Sequence, residues 1–474
     1  MNENIYKSYQ ELVELKYQIY NSLFLTLPLD AIEQTGLLLP LLQEACSAGL
    51  KEGKSPEIII NDFFQEHKSH FNEKTRIAFL FKVIQYVERQ IVLIDALEDA
   101  AYNKIHRIGD SDSWSRISSK VKSRKMEEQT QQVMQSFGVR VVLTAHPTQF
   151  YPGAVLAIAT DLKSSIENGD VALTRDLLQQ LGKTAFYRKQ KPTAYNEALN
   201  LMWYLSNVFY PAIGELLDKI HMSFPKEMGK TSNLLQLGFW PGGDRDGNPF
   251  VKVDTTRKVA ERLRLSITTC YAQDIKKLKR RLSFKGVTEI LEQLDNDFLE
   301  ELTGKKQKLN SAYLLEQLNE IERLLKEEHQ SLFLGQLQGF KRKVKSFGFH
   351  FASIDIRQDS RVIANAFDAI TQQIPDLLPT DWEQISWENQ LAILLKPKAL
   401  IQWDNLIDDV LQDTLESFQV IRNIQKKNGE AGAHRYIISN CRGPLDIAKV
   451  KALAHWFAFG NEDLSLDIVP LFET

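Results

Sequence analysis

Residues 465–474 read SLDIVPLFET. Leu466, Ile468 and Val469 form a short apolar run, Pro470 removes a backbone donor, and a carboxylate, Glu473, follows. A charged group just past an apolar strand is where many α/β folds place their chemistry. The stretch therefore reads as a buried strand that delivers Glu473 at its carboxyl end. Four other stretches share this build: GVRVVLTAHPT (138–148), NLLQLGFWPGGDRDGNP (233–249), FGFHFASIDIRQDS (347–360) and AHRYIISNCRGP (433–444). Each is short and apolar, and each runs into something polar: His146, then Asp244-Arg245-Asp246, then Arg357, then Asn440 and Arg442.

Before and between these strands the pattern is helical. YQELVELKYQIYNSLF (9–24), FLFKVIQYVERQIVLIDALEDAAYNKI (79–105), ALNLMWYLSNVFYPAIGELLDKI (198–220) and TTRKVAERLRLSITTCYAQDIKKLKRRL (255–282) carry apolar residues at spacings of three and four. Strands separated by helices pair in parallel through crossover connections. Polar groups repeated at the carboxyl ends of such strands give the layout of a (β/α)8 TIM-type barrel, whose strand ends form one mouth. Closure needs eight strands, and about five are legible. The expected fold is thus α-rich α/β. Residues 1–138 are a helical region packed on the barrel, and residues 139–474 are an incomplete barrel, strands 1–5, with helical insertions. Loops are expected at HRIGDSDSWSRIS (106–118) and SFPKEMGKTSN (223–233), rich in Gly, Ser, Asp or Pro.

Composition removes several function classes. The 474 residues carry a net charge of −3, so no global basic field draws the chain to nucleic acid or anionic membrane. No apolar run reaches the roughly 18–20 residues needed to span a bilayer. MNENIYKSYQ lacks the basic-then-apolar pattern of a secretory leader. Three cysteines, Cys46, Cys270 and Cys441, are odd in number and far apart, which fits a reducing compartment. GLKEGKS (49–55) is one residue short of a P-loop and lies in a helical context, and no G-x-G-x-x-G follows a strand, so nucleotides are not indicated. The basic run IKKLKRRLSFKG (275–286) keeps helical apolar spacing and reads as a solvated helix face.

The polar clusters have a chemical and a structural reading. His146 precedes a proline, so the chain turns sharply after the strand. A neutral imidazole there suits a general base, because its ordinary pKa of roughly 6.5 lies near working pH; a hydrogen-bonded structural histidine is the alternative. PGGDRDGNP (241–249) can be neither helix nor strand and brings backbone N–H groups and Arg245 toward a ligand, with its aspartates orienting that arginine. An EF-hand is excluded, because Pro249 stands where Gly is needed and Thr255 where Glu is needed. Arg357 can fork onto a carboxylate or phosphate, or simply pair with Asp355 or Asp359.

VVLTAHPTQ, GFWPGGDRDGNPFV, FGFHFASIDIRQDS, YIISNCRGPLDI and PLFET occur here in the order found in phosphoenolpyruvate carboxylases, and YNSLFLTLP, YVERQIVLIDALEDAA and KPTAYNEAL agree as well. The resemblance runs from about Tyr17 to Thr474. It implies a cytoplasmic, Mg²⁺- or Mn²⁺-dependent, allosteric lyase, usually a homotetramer, that forms oxaloacetate and phosphate from phosphoenolpyruvate and bicarbonate. His146 and Arg245 resemble its catalytic residues, the latter through bicarbonate. Arg357 resembles a substrate-gripping arginine, Trp240 the apolar wall of the CO₂ pocket, and Glu473 one of two carboxylate metal ligands. In the family PLFET closes the fifth strand, so the chain reads as an N-terminal half, inactive alone. A second reading is a non-catalytic, truncated homologue acting as an anion-binding or assembly module. One local departure is Gln149, where the family commonly has Glu.

Overall fold

The computed structural model describes residues 3–26, 35–106, 113–144, 151–186, 193–224, 234–246, 248, 250–396, 400–401 and 409–473. Packing groups the chain into two compact units in a way that cuts across sequence order. The first takes residues 1–120 and 147–191, the second residues 121–146 and 192–474. The expected division at residues 138/139 follows the chain, whereas the observed grouping follows apolar faces. Helices Gly153–Asn168 and Val171–Lys183 bury Ile158, Leu162, Ile166, Leu178 and Leu181 in one core with Val92, Leu93, Ala96 and Leu97.

The first unit is entirely helical among the described residues. Its axis is the 33-residue helix Glu73–Ile105. Asn72 caps it, the side chain accepting from the Thr75 amide at 2.9 Å, which satisfies one of the four orphan donors of a helix start. Ser55 caps Pro56–His67 in the same way, with Pro56 at the position where a missing N–H does no harm. The helix Ser113–Ser123 corrects a sequence expectation, since its first half lies in the segment read as a loop. Trp114, Ile117 and Val121 fall at helical spacing, and the Asp and Ser residues before them, taken as loop signals, are equally residues that precede helices. Residues 225–233 of the other expected loop lie outside the described residues.

The second unit holds all five described strands: β1 Val139–Leu143, β2 Leu235–Phe239, β3 Ser353–Asp359, β4 Arg435–Ser439 and β5 Asp467–Pro470. They form one sheet in the order β1-β2-β3-β4-β5, every neighbouring pair parallel. Each strand falls inside a stretch read as one from the sequence. Among the described residues β1 and β5 are paired on one side only, so the sheet is open where a barrel would close.

Side chains alternate across the sheet. Leu143, Leu237, Phe239, Ile354, Ile356, Tyr436 and Ile438 are buried in the apolar core beneath the helices. The long helix Val253–Arg281 shares this core, burying Leu263, Ile267, Tyr271 and Ile275, and turns its basic end to solvent, where Lys279 pairs with Asp295 at 3.0 Å. The opposite face is polar and carries Arg140, Trp240, Asp355, Arg357 and Asp359. Parallel sheets usually bury apolar residues on both faces, so a polar face is a departure that calls for a function.

The carboxyl ends of β3 and β4 are tied together. Asp359 caps helix Ser360–Gln373, accepting from the Arg361 amide at 2.7 Å, from the Arg361 Nε and Nη2 atoms at 2.9 and 2.7 Å, and from Asn440 Nδ2 at 2.9 Å. Asn440 sits at φ +52°, a left-handed conformation that Asn tolerates well. The Arg361 contacts hold the Asp359 carboxyl down at about 2. Because the folded value lies below the ordinary carboxylate value of 3.8, the stabilisation is fully present above pH ~4 and fades as pH falls toward about 2. Asp359→Ala should therefore cost about 1 kcal/mol at neutral pH, and the difference in urea midpoint from the parent should shrink as pH falls from about 4 through about 2.

Candidate active site

The site grows out of a glycine in the middle of β2. Arg140 on β1 reaches across β2 to Asp355 on β3, with Nη2 to Oδ1 at 2.7 Å and Nη1 to Oδ2 at 3.0 Å. The strand between them offers Gly238 at the crossing point. A Cβ there would stand 3.0 Å from Arg140 Cζ and 3.0 Å from Val142 Cγ2, so any side chain would press on the guanidinium. Asp355 is 1% exposed. Its Oδ2 also accepts from Trp240 Nε1 at 3.0 Å, which fixes the indole at the end of β2.

Beyond Trp240 the chain turns back onto β3. Gly243 and Asp244 donate to the Trp240 carbonyl at 2.8 and 2.9 Å, and Gly242 adopts φ +84°. The Arg357 amide donates to Gly243 O at 3.0 Å and the Arg245 amide to Arg357 O at 3.0 Å, so the loop continues the parallel ladder for one more residue pair. Gly243 lies so close to the Asp355 carbonyl that a Cβ would overlap its oxygen. Only glycine fits there, for steric reasons.

This turn delivers two aspartates to Arg357. Arg357 Nη2 donates to Asp246 Oδ2 at 2.6 Å, its Nε lies 3.8 Å from Asp244 Oδ1, and Nη2 lies 3.8 Å from Glu473 Oε1. The guanidinium also sits over the Trp240 ring at 5.4 Å, a cation–π arrangement. Burial alone would lower the Arg357 pKa, but the Asp246 hydrogen bond and the charges of Asp244, Asp246 and Glu473 outweigh it and raise it. Burial pushes the Asp244 carboxyl above its ordinary range, against the pull of Arg357.

Three of the residues singled out from the sequence thus meet: Trp240, Arg357 and Glu473. Arg357 pairs with neither Asp355 nor Asp359, because Arg140 and Arg361 occupy those carboxylates. Arg245 does not join the cluster. Its side chain is 3% exposed and pairs with Asp413 of helix Asp409–Asn428, to whose carbonyl Nη1 also donates at 3.2 Å. Asp413 Oδ1 in turn accepts from the Val253 amide at 3.0 Å, so Arg245 clamps the loop to two helices. Asp244 and Asp246 orient Arg357, where the sequence suggested that they orient Arg245. His146 and Gln149 lie outside the described residues. The Arg140–Asp355 pair went unread in the sequence, although the lone charges inside the strand patterns VRVVL and SIDI were its signal.

Comparison with known proteins gives the context. The model of the family described as Phosphoenolpyruvate carboxylase matches residues 77–313 and 291–474. The chain is 27% identical over 414 residues to a phosphoenolpyruvate carboxylase of Nitrosomonas europaea, covering 73% of this chain and 44% of that one. It is 28% identical over 417 residues to that of Nitrosomonas eutropha, with the same coverage. With that of Aliivibrio salmonicida the identity is 24% over 414 residues, 77% of this chain and 46% of the relative. The chain therefore spans less than half the length of these relatives.

Asp355→Ala would leave a mostly buried guanidinium and the Trp240 N–H without their acceptor. The expected loss is about 3–5 kcal/mol, the range for breaking one side of a buried pair. The double variant Arg140→Met/Asp355→Leu should lose less than Asp355→Ala in chemical denaturation, because no uncompensated charge remains.

Proposed function

The chain belongs to the phosphoenolpyruvate carboxylase family, and we propose that the whole protein carboxylates phosphoenolpyruvate with bicarbonate, giving oxaloacetate and phosphate. In this reading β1–β5 are the first five strands of a (β/α)8 barrel. The remainder corresponds to the part of the relatives' length that this chain does not cover. The observation that carries the reading is the Arg357 cluster: a guanidinium held at a strand end over an indole, with carboxylates around it that a phosphate could displace.

The reaction balances as follows. A bicarbonate oxygen attacks phosphorus, and the bond from phosphorus to the enol oxygen breaks with its electron pair, leaving carboxyphosphate and the enolate of pyruvate. His146 takes the carboxyphosphate proton, and the C–O bond to phosphate breaks to release CO₂ and phosphate. The enolate carbon then attacks CO₂. Arg357 grips the phosphoryl oxygens, exchanging one carboxylate partner for the substrate. Trp240 walls the space where CO₂ forms and keeps water from protonating the enolate. Arg245 acts through the loop it clamps, because direct contact with bicarbonate would require breaking its pair with Asp413.

A divalent cation, Mg²⁺ or Mn²⁺, supplies neutralisation of the phosphoryl and enolate oxygens when bound. Glu473 fits one ligand position: it is half-exposed, at a strand end and beside the substrate-gripping arginine. Among the described residues no group of three His, Cys, Asp or Glu side chains is placed to hold a metal. Homotetramer assembly and a cytoplasmic location are proposed on family grounds. No helix of the described residues is long and apolar enough to cross a membrane.

In the whole protein, His146→Ala should reduce oxaloacetate formation by about 10²–10⁴-fold, the usual worth of a positioned base. Phosphate release should persist, because the first step does not need that base and water hydrolyses the carboxyphosphate it leaves to bicarbonate and phosphate. Parallel coupled assays for the two products check this, and parental oxaloacetate rates in the variant would remove His146 from the mechanism.

Residues 1–474 alone should show no turnover and weak Mg²⁺ binding, since one carboxylate is a poor site for an ion that keeps its waters. A coupled oxaloacetate assay and calorimetric Mg²⁺ titration test this. Phosphoenolpyruvate binding without turnover would instead favour the anion-binding module.

A further inference from the structure

The side chain of Trp240 has one polar atom, and the fold turns it away from the mouth. Nε1 donates to Asp355 Oδ2 at 3.0 Å, and Asp355 is 1% exposed, so the N–H points into the sheet. The Trp240 amide is taken as well, donating to Leu143 O at 3.0 Å. Backbone and ring are therefore pinned separately, one by β1 and the other by β3. Toward Arg357, whose guanidinium lies 5.4 Å from its centroid, the indole presents hydrocarbon face.

The carboxylate that holds the ring is itself held. Arg140 meets Asp355 with both outer nitrogens, Nη2 on Oδ1 at 2.7 Å and Nη1 on Oδ2 at 3.0 Å. A two-point pair fixes the plane of a carboxylate, where a single contact would leave it free to turn. Such a buried pair adds little stability over an apolar replacement. What it imposes on the indole is a position.

That position matters at one step of the carboxylation. The enolate has two electrophiles within reach. Attack on CO₂ gives oxaloacetate, whereas taking a proton from water gives pyruvate and hydroxide, and CO₂ leaves unreacted. CO₂ is uncharged and has no donor, so dispersion against an apolar surface keeps it near the carbon. An indole N–H freed at that surface would instead hydrogen-bond a water there. We propose that Arg140 and Asp355 are positioning residues that act through the Trp240 ring to set this partition in favour of CO₂. Both roles presuppose the carboxylase reading of the site.

The whole protein is assayed with phosphoenolpyruvate, bicarbonate and Mg²⁺, with excess malate dehydrogenase to trap oxaloacetate before it decarboxylates and pyruvate measured after quenching. Arg140→Met/Asp355→Leu, which leaves no buried charge behind, should raise the ratio of pyruvate to oxaloacetate roughly tenfold, the weight of one hydrogen bond to an ionised acceptor. Asp355→Asn keeps the side-chain shape and serves where the double variant folds poorly: one amide oxygen cannot satisfy both Arg140 and the indole, so the ratio should again rise. Trp240→Phe removes the N–H and its anchor and should raise it too. Adding Asp355→Asn to Trp240→Phe should then change the ratio no further, because the carboxylate acts through that N–H. A pair that only stabilised the fold would lower both products together and leave the ratio where it was. A parental ratio in Asp355→Asn, or additive effects of Asp355→Asn and Trp240→Phe, overturns the proposal and leaves the carboxylase reading standing. A parent that forms no oxaloacetate overturns both.

Discussion

The ion pair between Arg140 and Asp355 spans three strands, and the polar face of the sheet depends on it. It exists because β2 carries no side chain at Gly238, so a guanidinium from β1 can lie over the strand and meet a carboxylate on β3 with both of its outer nitrogens. A buried pair of this kind contributes little net stability, because desolvation of both ions offsets most of their attraction. Its contribution here is position. The Asp355 carboxylate cannot turn without losing Arg140, and it holds the Trp240 indole through the ring N–H. The indole in turn lies beneath the Arg357 guanidinium. Four residues from three strands are fixed in sequence by one carboxylate.

The turn after Trp240 adds a second constraint, made of backbone. Gly243 passes against the Asp355 carbonyl, and the exchange of amides and carbonyls with Arg357 makes the loop an extension of the sheet. Adjacent residues of this turn then point to opposite sides. Asp244 and Asp246 face the polar side and meet Arg357, while Arg245 faces the helices and meets Asp413. Two arginines that look equivalent in sequence acquire different chemistry from this alternation. Arg357 is bordered by exchangeable carboxylates at a half-open mouth, whereas Arg245 is locked in a buried clamp.

Among the described residues, three carboxylates, Asp244, Asp246 and Glu473, surround the Arg357 guanidinium. A multiply charged anion would approach such a site only if it displaced carboxylates or arrived with a cation. That is the electrostatic sense in which a divalent metal would suit the proposed reaction. It also explains why burial can push the Asp244 carboxyl upward despite the arginine beside it: two further carboxylates share that arginine's field.

The positions and order of all five strands were legible in the sequence, as was the helical character of what separates them. Short apolar runs and three-four periodicity are local properties; four of the five strands carry β-branched residues, and β2, LQLGF, is marked by Leu and Phe instead. The meeting of Trp240, Arg357 and Glu473 was also implied, because each lies toward or just past the carboxyl end of an apolar stretch and parallel strands bring those ends together. What pairs with what was not legible. Arg357 has Asp355 and Asp359 as its nearest acidic neighbours along the chain, yet strand alternation and the turn at Gly242-Gly243 give it Asp246, over a hundred residues away. The grouping of helices 153–168 and 171–183 with the first unit likewise follows apolar faces rather than chain order. Sequence fixes where an element begins and which face is apolar, because those depend on neighbouring residues. Partner choice among like charges depends on which backbones approach closely enough, and here two glycines, Gly238 and Gly243, decided that only once the sheet had formed.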